Sequence, residues 1–324
     1  MSIIGYHASH EQFTPAELLQ LVQLAEKAGF GAAMSSDHFN PWSLNQGSSG
    51  NAWSWLGAAL QATKFNYASL AIPGGYRYHP ALLAQTIATL AEMFPGRIPW
   101  IAAGSGEALN ETFIDPHWPQ KSERNQRLLE GVNIMKSLWS GELVHRPDGL
   151  LPTYNAKLWN LPKPSPKIYG AALTSRTAEW AGGWADGLIT VAAEESKLEK
   201  MVSAFRSGGG QGKPLVLQVH VSWGQSLEKA QANAIHQWKN NACEGDDLAD
   251  LRTVEEFDQR SKDIGLKEVA NKVLISIDPE EYITKLKGYQ KLGFDEIHLH
   301  NVGRNQKEFI EFFGKNILPV LGTG

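Results

Sequence analysis

Short apolar runs alternate with longer segments of 3.6-residue period along the whole chain. Ile3–Ala8 predicts a strand, and Thr14-Pro15 with Glu17 marks the capped start of a helix whose apolar face is Leu18, Leu21, Leu24 and Ala25. Gly29 closes that helix. Strands follow at Gly31–Ser36, Tyr67–Pro73 and Ile98–Gly104, with helices at Asn51–Thr63, Pro80–Met93 and Arg124–Trp139. Glu142–Pro166 breaks the rhythm, and its turn Arg146-Pro147-Asp148-Gly149 predicts a hairpin excursion. The alternation then resumes with strands Ile168–Leu173, Gly187–Ala192 and Leu215–Trp223 and helices Arg176–Gly183, Ser196–Arg206 and Leu227–Asn240. A charged, helical insertion covers Glu244–Asn271, and helix Pro279–Leu292, strand Glu296–Asn301 and a closing helix Lys307–Leu321 complete the chain. About eight strand–helix pairs predict an α/β fold, a (β/α)8 TIM barrel with insertions. A doubly wound sheet is the alternative, but no G-x-G-x-x-G follows the first strand.

The chain has 324 residues, 42% of them hydrophobic. That length would suit two domains of ~150 residues, but a barrel routinely uses ~250 or more as one. The alternation favours one barrel domain over 1–324, with a hairpin insertion at about 142–166 and a helical insertion at about 244–271. A net charge of −4 gives no basis for binding nucleic acid or an anionic membrane surface. The single cysteine, Cys243, excludes an intramolecular disulfide and a multi-cysteine metal site. No run reaches the ~20 apolar residues of a membrane span, and the first residues resemble no signal peptide, so a cytoplasmic location is expected.

In such a barrel the chemistry lies where strands run into the following helices. The second strand ends in Asp37-His38-Phe39-Asn40-Pro41-Trp42, which offers an imidazole, a neighbouring carboxylate to orient it and a flat apolar wall. The fourth ends in Gly104-Ser105-Gly106-Glu107, where glycines let the backbone approach a ligand and burial would raise a carboxyl's pKa to suit proton donation. Structural readings exist for each: a loop cap for Asp37, a hydrogen-bonded filler for His38 and a helix-dipole partner for Glu107. His7 near the end of the first strand and Glu11 beyond it lie near the mouth, and Pro73 breaks the third. Thr174, Ser175 and Arg176 open a helix after the fifth, where free N–H groups suit a phosphate, although capping accounts for the two hydroxyls equally well. His220 and Trp223 should face opposite sides of the seventh strand. His298 and His300 share a face of the last, which with Asp37 and His38 raises a metal-hydrolase reading, but metallohydrolase barrels carry H-x-H on the first strand and no metal is expected.

These residues together resemble the luciferase-like superfamily, in particular its branch of deazaflavin-dependent glucose-6-phosphate dehydrogenases. The likeness runs through Gly5-Tyr6, Glu11-Gln12-Phe13, Ser36-Asp37-His38-Phe39, Tyr76-Arg77-Tyr78-His79-Pro80 and Gly106-Glu107-Ala108-Leu109-Asn110-Glu111. The resemblance implies catalytic roles for His38 as base, Trp42 as transition-state support, Glu107 as proton donor and Glu11 as a second acid. With the strand-end readings above, it places the cofactor against Asp37, Leu70, Ala71, Pro73, Gly104, Gly106 and Asn110, with a non-proline cis bond near Leu70-Ala71, while the helix start puts a cofactor phosphate near Thr174, Ser175 and Arg176. A homodimer and a separate flavin reductase are further implied partners.

Two departures bear on the ligands. Glu194 and Glu195 stand where that branch carries a phosphate-binding lysine, and Ala171–Arg176 replaces its Gly-Gly loop. A sister group that uses FMN is similar through Tyr6-His7-Ala8-Ser9-His10-Glu11 and Trp53-Ser54-Trp55-Leu56-Gly57, and 20 lysines to 10 arginines fit poorly with a GC-rich actinobacterial genome. The sequence reading is therefore an FMN-dependent oxidoreductase or monooxygenase acting on a small-molecule substrate. Its alternatives are a dehydrogenase using coenzyme F-420 and a flavin-binding protein without catalysis.

Overall fold

The computed structural model describes residues 2–245 and 247–322. Met1, Thr323 and Gly324, the ends of the expected domain, and Asp246 in its helical insertion lie outside the described residues. The chain opens β1 (Ile3–Ala8), α1 (Pro15–Ala28), β2 (Ala32–Ser35), α2 (Ala52–Ala62), β3 (Tyr67–Ala71), α3 (Pro80–Met93), β4 (Trp100–Ala103), α4 (Ala108–Glu111) and α5 (Lys121–Trp139). A hairpin of β5 (Val144–Arg146) and β6 (Thr153–Ala156) follows. Then come β7 (Lys167–Ala171), α6 (Ser175–Gly182), β8 (Gly187–Val191), α7 (Glu195–Phe205) and β9 (Leu215–Ser222). The last stretch holds α8 (Leu227–Trp238), α9 (Val254–Arg260), α10 (Leu266–Ala270), β10 (Leu274–Ile275), α11 (Pro279–Lys291), β11 (Glu296–Asn301), α12 (Gln306–Asn316) and α13 (Leu318–Leu321).

Strands β1, β2, β3, β4, β7, β8, β9 and β11 pair in parallel, and the β8–β9 and β11–β1 ladders close the ring. Alternation along each strand sends one set of side chains inward and the other against the helices. The inward set includes Met34, Ala68, Trp100, Ala102, Tyr169 and Val216. At the strand beginnings Trp100 stacks on Tyr169 and its Nε1 donates to Glu296 at 3.0 Å, so this end is plugged. Halfway up, the His298 ring fills the space beside Gly5, where a Cβ would lie 2.3 Å from its Nδ1. The open end is left to the strand termini and their loops.

Local chemistry fixes several elements as expected. Thr14 and Glu17 form a reciprocal capping box, and Gly29 takes the left-handed conformation at φ 98°. The hairpin braces the third loop: Glu130 of α5 accepts from the Leu150 and Leu151 amides, and Leu151 packs over Gly75. Gly131 of α5 meets the Pro73 carbonyl so closely that a Cβ would lie 2.1 Å from it. The closing helix is broken at Ile317, because Pro319 cannot donate to the helical ladder, and becomes α12 and α13.

The insertion at the mouth is larger than its charge pattern implies, because α8 belongs to it. Gln46 donates to the Gln237 carbonyl at 2.9 Å, Gln12 donates to the Gln237 side chain, and Trp238 packs edge-on over His300. α8 thus lies beside the β1 and β2 loops, and α11 makes the return. Its Tyr282 hydroxyl donates to the Ser222 carbonyl at the end of β9, while Asp295 beyond it bonds Leu215 at the start of β9.

Candidate active site

The loops after β1, β2 and β4 bring Glu11, His38, Trp42 and Glu107 together. His38 Nδ1 hydrogen-bonds Glu11 Oε1, and its Nε2 lies 3.5 Å from Glu107 Oε1. Glu11 is buried, and its other oxygen accepts from Ser9 Oγ at 2.7 Å and Ser36 Oγ at 2.9 Å. The His38 side chain is 13% exposed and that of Glu107 22%, so the accessible face of the imidazole is the Nε2 side. Trp42 packs edge-on against His38 with centroids 5.1 Å apart. Phe257 of α9 packs edge-on behind Trp42, and Asp258 accepts from Ser43 Oγ and the Leu44 amide, so the helical insertion forms one wall of the mouth.

Burial alone would lower the His38 pKa. The adjacent Glu11 carboxylate and its hydrogen bond outweigh burial, Glu107 adds to them, and the pKa rises to about 9. Burial likewise opposes ionisation of Glu11, but His38 and the two serine hydroxyls hold its carboxyl well below the usual range. The pair therefore holds one proton on the imidazole at neutral pH. Below pH 9 it is an acid; above it, Nε2 becomes a base.

Behind the pair, other expected residues are committed to protein partners. Asn110 is fully buried, and its Oδ1 accepts from the Phe39 and Asn40 amides, both at 2.8 Å. Its Nδ2 donates to Glu107 Oε1 at 3.0 Å, so it ties the second loop to the fourth. Asp37 is buried, and its Oδ2 accepts from Trp53 Nε1 and Arg77 Nη2. Gly106 adopts φ 76°, a conformation that favours glycine. A Cβ there would lie 3.0–3.2 Å from Ile72, Glu111 and Trp118. Gly104 and Leu70 are half-buried beside it, while Ala71 and Pro73 are buried.

Thr174, Ser175 and Arg176 are exposed at the rim, where Thr174 caps α6 by accepting from the Thr177 amide. They make no contact with the His38 cluster. The cis bond implied near Leu70-Ala71 is a correction: both residues continue the β3–β4 ladder opposite Ala102 and Ala103, and the cis peptide among the described residues is Lys163–Pro164. His298 and His300 do not converge on a common point, since His298 Nε2 pairs with Glu296 and His300 Nε2 with Gln12. His300 instead packs against His7 and His220, and burial lowers the pKa of all three, leaving a neutral imidazole floor beneath the mouth. His220 faces this floor, and Trp223 stacks on Phe312 outside the barrel, as their spacing predicts.

Sequence reasoning missed Ser9, Arg77, Glu111 and Phe257. Arg77 and Glu111 stand inside the motifs that carried the resemblance, but the contacts of Arg77 with Asp37 and Glu111 join separate loops and leave no local signal. Phe257 lies far along the chain from Trp42 in a segment whose charge suggests only a solvated helix.

Comparison with known proteins bears directly on this arrangement. The family model described as luciferase-like monooxygenase matches residues 3–296. The chain is 32% identical to a protein of Microbacterium testaceum named F420-dependent glucose-6-phosphate dehydrogenase, over 98% of this chain and 96% of that one. A protein of the same name, numbered 2, from Rhodococcus jostii is also 32% identical, over 98% and 97%. Among solved structures, an F420-dependent secondary alcohol dehydrogenase in complex with an F420-acetone adduct superimposes with a TM-score of 0.92 at 29% identity, covering 99% of this chain and all of that one. The FMN complex of the oxygenating constituent of 3,6-diketocamphane monooxygenase from Pseudomonas putida has a TM-score of 0.72 at 15% identity, over 98% and 99%, a likeness of fold alone. The chain, a closed parallel barrel, belongs to the luciferase-like monooxygenase family and is an oxidoreductase.

Proposed function

We propose that the protein is a dehydrogenase that uses the deazaflavin coenzyme F-420 and moves a hydride between that coenzyme and a small alcohol or carbonyl compound. The observation that carries this reading is the His38 Nε2 atom, backed by Glu11 and faced by Glu107 at 3.5 Å, at the mouth of the barrel. The preference for FMN drawn from the first-strand motif and the lysine content gives way here, because the relatives of about 30% identity carry names that specify F420. Since the substrate itself supplies the electrons, this reading needs no separate flavin reductase. The homodimer expected from the resemblance belongs to the same reading.

The residues present fit a flat ring system. The mouth offers apolar surface from Trp42, and the glycines Gly104 and Gly106 let the fourth loop pack closely over the buried Ile72. Leu70 packs against the inward-facing side chains below this space, with Ala71 and Pro73 buried next to it in the chain, and Thr174, Ser175 and Arg176 at the rim would take the phosphate-bearing tail. When bound, the coenzyme accepts or returns the hydride. His38 Nε2 takes the hydroxyl proton as the substrate carbon is oxidised, and Glu11 stabilises the imidazolium so formed. Trp42 excludes water from one side, and Glu107 offers its carboxyl at the other end of the imidazole's reach.

The same geometry argues for an uncharged substrate. The buried guanidinium of Arg77 is held by Asp37, and Arg124 donates to Asp250 and the Pro119 carbonyl. The sixth loop presents Glu194 and Glu195 to solvent, which would repel a phosphate. Titration of the purified protein with oxidised coenzyme F-420 and with FMN, followed by visible absorbance and fluorescence, tests the cofactor. The reading predicts at least tenfold tighter binding of the deazaflavin, a difference of about 1.4 kcal/mol. Tighter binding of FMN would return the protein to the flavin reading.

A further inference from the structure

A second charged cluster lies directly behind the proton-transfer pair and takes no part in the steps above. Arg77, in the loop after β3, has a side chain only 6% exposed. Its Nη2 donates to the Asp37 carbonyl at 2.6 Å and to Asp37 Oδ2 at 3.0 Å, gripping the residue just before His38 by backbone and side chain together. On its other side the Arg77 amide donates to Glu111 Oε2 at 3.2 Å, and Nη2 lies 3.6 Å from Glu111 Oε1. Glu111 closes the short helix that begins after Glu107. One residue thus joins the second, third and fourth loops, and the two it joins bear the imidazole and the carboxyl facing it.

We propose that Arg77 is a positioning residue for this site: its two-sided grip on Asp37 and Glu111 sets the placement of His38 between Glu11 and Glu107. The argument is one of reach. Glu11 and Glu107 belong to different loops, and His38 meets both only while the Asp37–His38 peptide stays where Arg77 holds it. Lysine cannot reproduce the grip on Asp37: both side-chain bonds are made by Nη2 at the tip of the guanidinium, and a lysine ammonium ends one atom short of that place. The cluster also suits burial: Glu111, with burial the main cause, has its pKa pushed up to about 8, so one guanidinium balances the Asp37 carboxylate while Glu111 stays neutral at pH 7.

The test reads the titration of His38, which depends on its neighbours from every side. Glu11 and Glu107 raise its pKa, Arg77 lowers it, and His7, His10 and Asp37 also lie within its field. Selective labelling of histidines and NMR titration of the unliganded protein, with the His38 signal assigned by its loss in H38Q, follows this without any substrate. In Arg77→Lys, which keeps the charge but falls short of the place of Nη2, the His38 pKa is expected to fall by about one unit or more, as its bond to Glu11 loosens. Arg77→Met is expected to lower it too, although deleting a positive charge would by itself raise it. That opposition of sign separates positioning from charge, and the methionine variant answers alone if the lysine variant does not fold. An unchanged His38 in R77K, or a raised one in R77M, overturns the proposal.

Its effect on turnover rests on the dehydrogenase reading: R77K should lower kcat by roughly 10–10²-fold with KM little changed. A shifted His38 titration in a wild-type protein that transfers no hydride would leave the positioning role standing and remove the dehydrogenase reading. A normal titration in an active R77K enzyme would do the reverse.

Discussion

Replacing His38 by glutamine is expected to lower the rate of alcohol oxidation by about 10²–10⁴-fold, the usual contribution of a general base. Affinity for the coenzyme should change little. Glutamine keeps a hydrogen-bond donor for the buried Glu11, so the substitution removes the basic nitrogen without stranding that carboxylate. The expected loss lies in kcat, because the proton moves only as the substrate is oxidised. Steady-state kinetics beside a coenzyme titration separates the two quantities. Turnover equal to the parent enzyme would take His38 out of the reaction, and lost coenzyme binding would make it a binding residue.

The second large effect concerns pH. The imidazole accepts a proton only in its neutral form, and Glu11 raises its pKa to about 9. In the parent enzyme kcat/KM for oxidation should therefore rise with pH up to about 9 and then level, while carbonyl reduction should favour the acid side. Glu11→Gln removes the carboxylate that overcomes burial. The His38 pKa then falls below its ordinary value of about 6.5, and the rising limb of the oxidation profile moves down by at least two units. Because a weaker base gains less from the transfer, the plateau should also drop, by roughly tenfold. A profile of unchanged midpoint in E11Q would show that another group sets it.

The path from sequence to site was uneven for physical reasons. Features set by neighbouring residues were legible. The capping box at Thr14 and Glu17, the hairpin around Asp148-Gly149 and the alternation that gives eight parallel strands are all local patterns. Placing chemistry at strand ends then brought Glu11, His38, Trp42 and Glu107 within reach of one another, because a closed barrel gathers its loops on one face.

What escaped was the partnering of polar groups between loops. Asn110 looked available for a ligand, but two backbone amides of another loop occupy its oxygen. The apolar face of α8 predicts a buried helix without saying against what, so its place beside the mouth could not be read. The break at Pro319 is legible, since a proline cannot extend the helical ladder. The cofactor was the least legible feature of all, since apolar contacts suit a flavin and a deazaflavin ring alike and leave few signature residues for one over the other.

The central claim is hydride exchange between a neutral alcohol and the deazaflavin at His38. It is tested most directly by mixing the protein anaerobically with oxidised coenzyme F-420 and a small secondary alcohol such as propan-2-ol, and following the visible absorbance of the coenzyme. The account predicts that the absorbance bleaches as acetone appears in equal amount, faster at pH 9 than at pH 7. Persistence of the oxidised spectrum with alcohols of this class, alongside bleaching by a phosphorylated sugar, would contradict it.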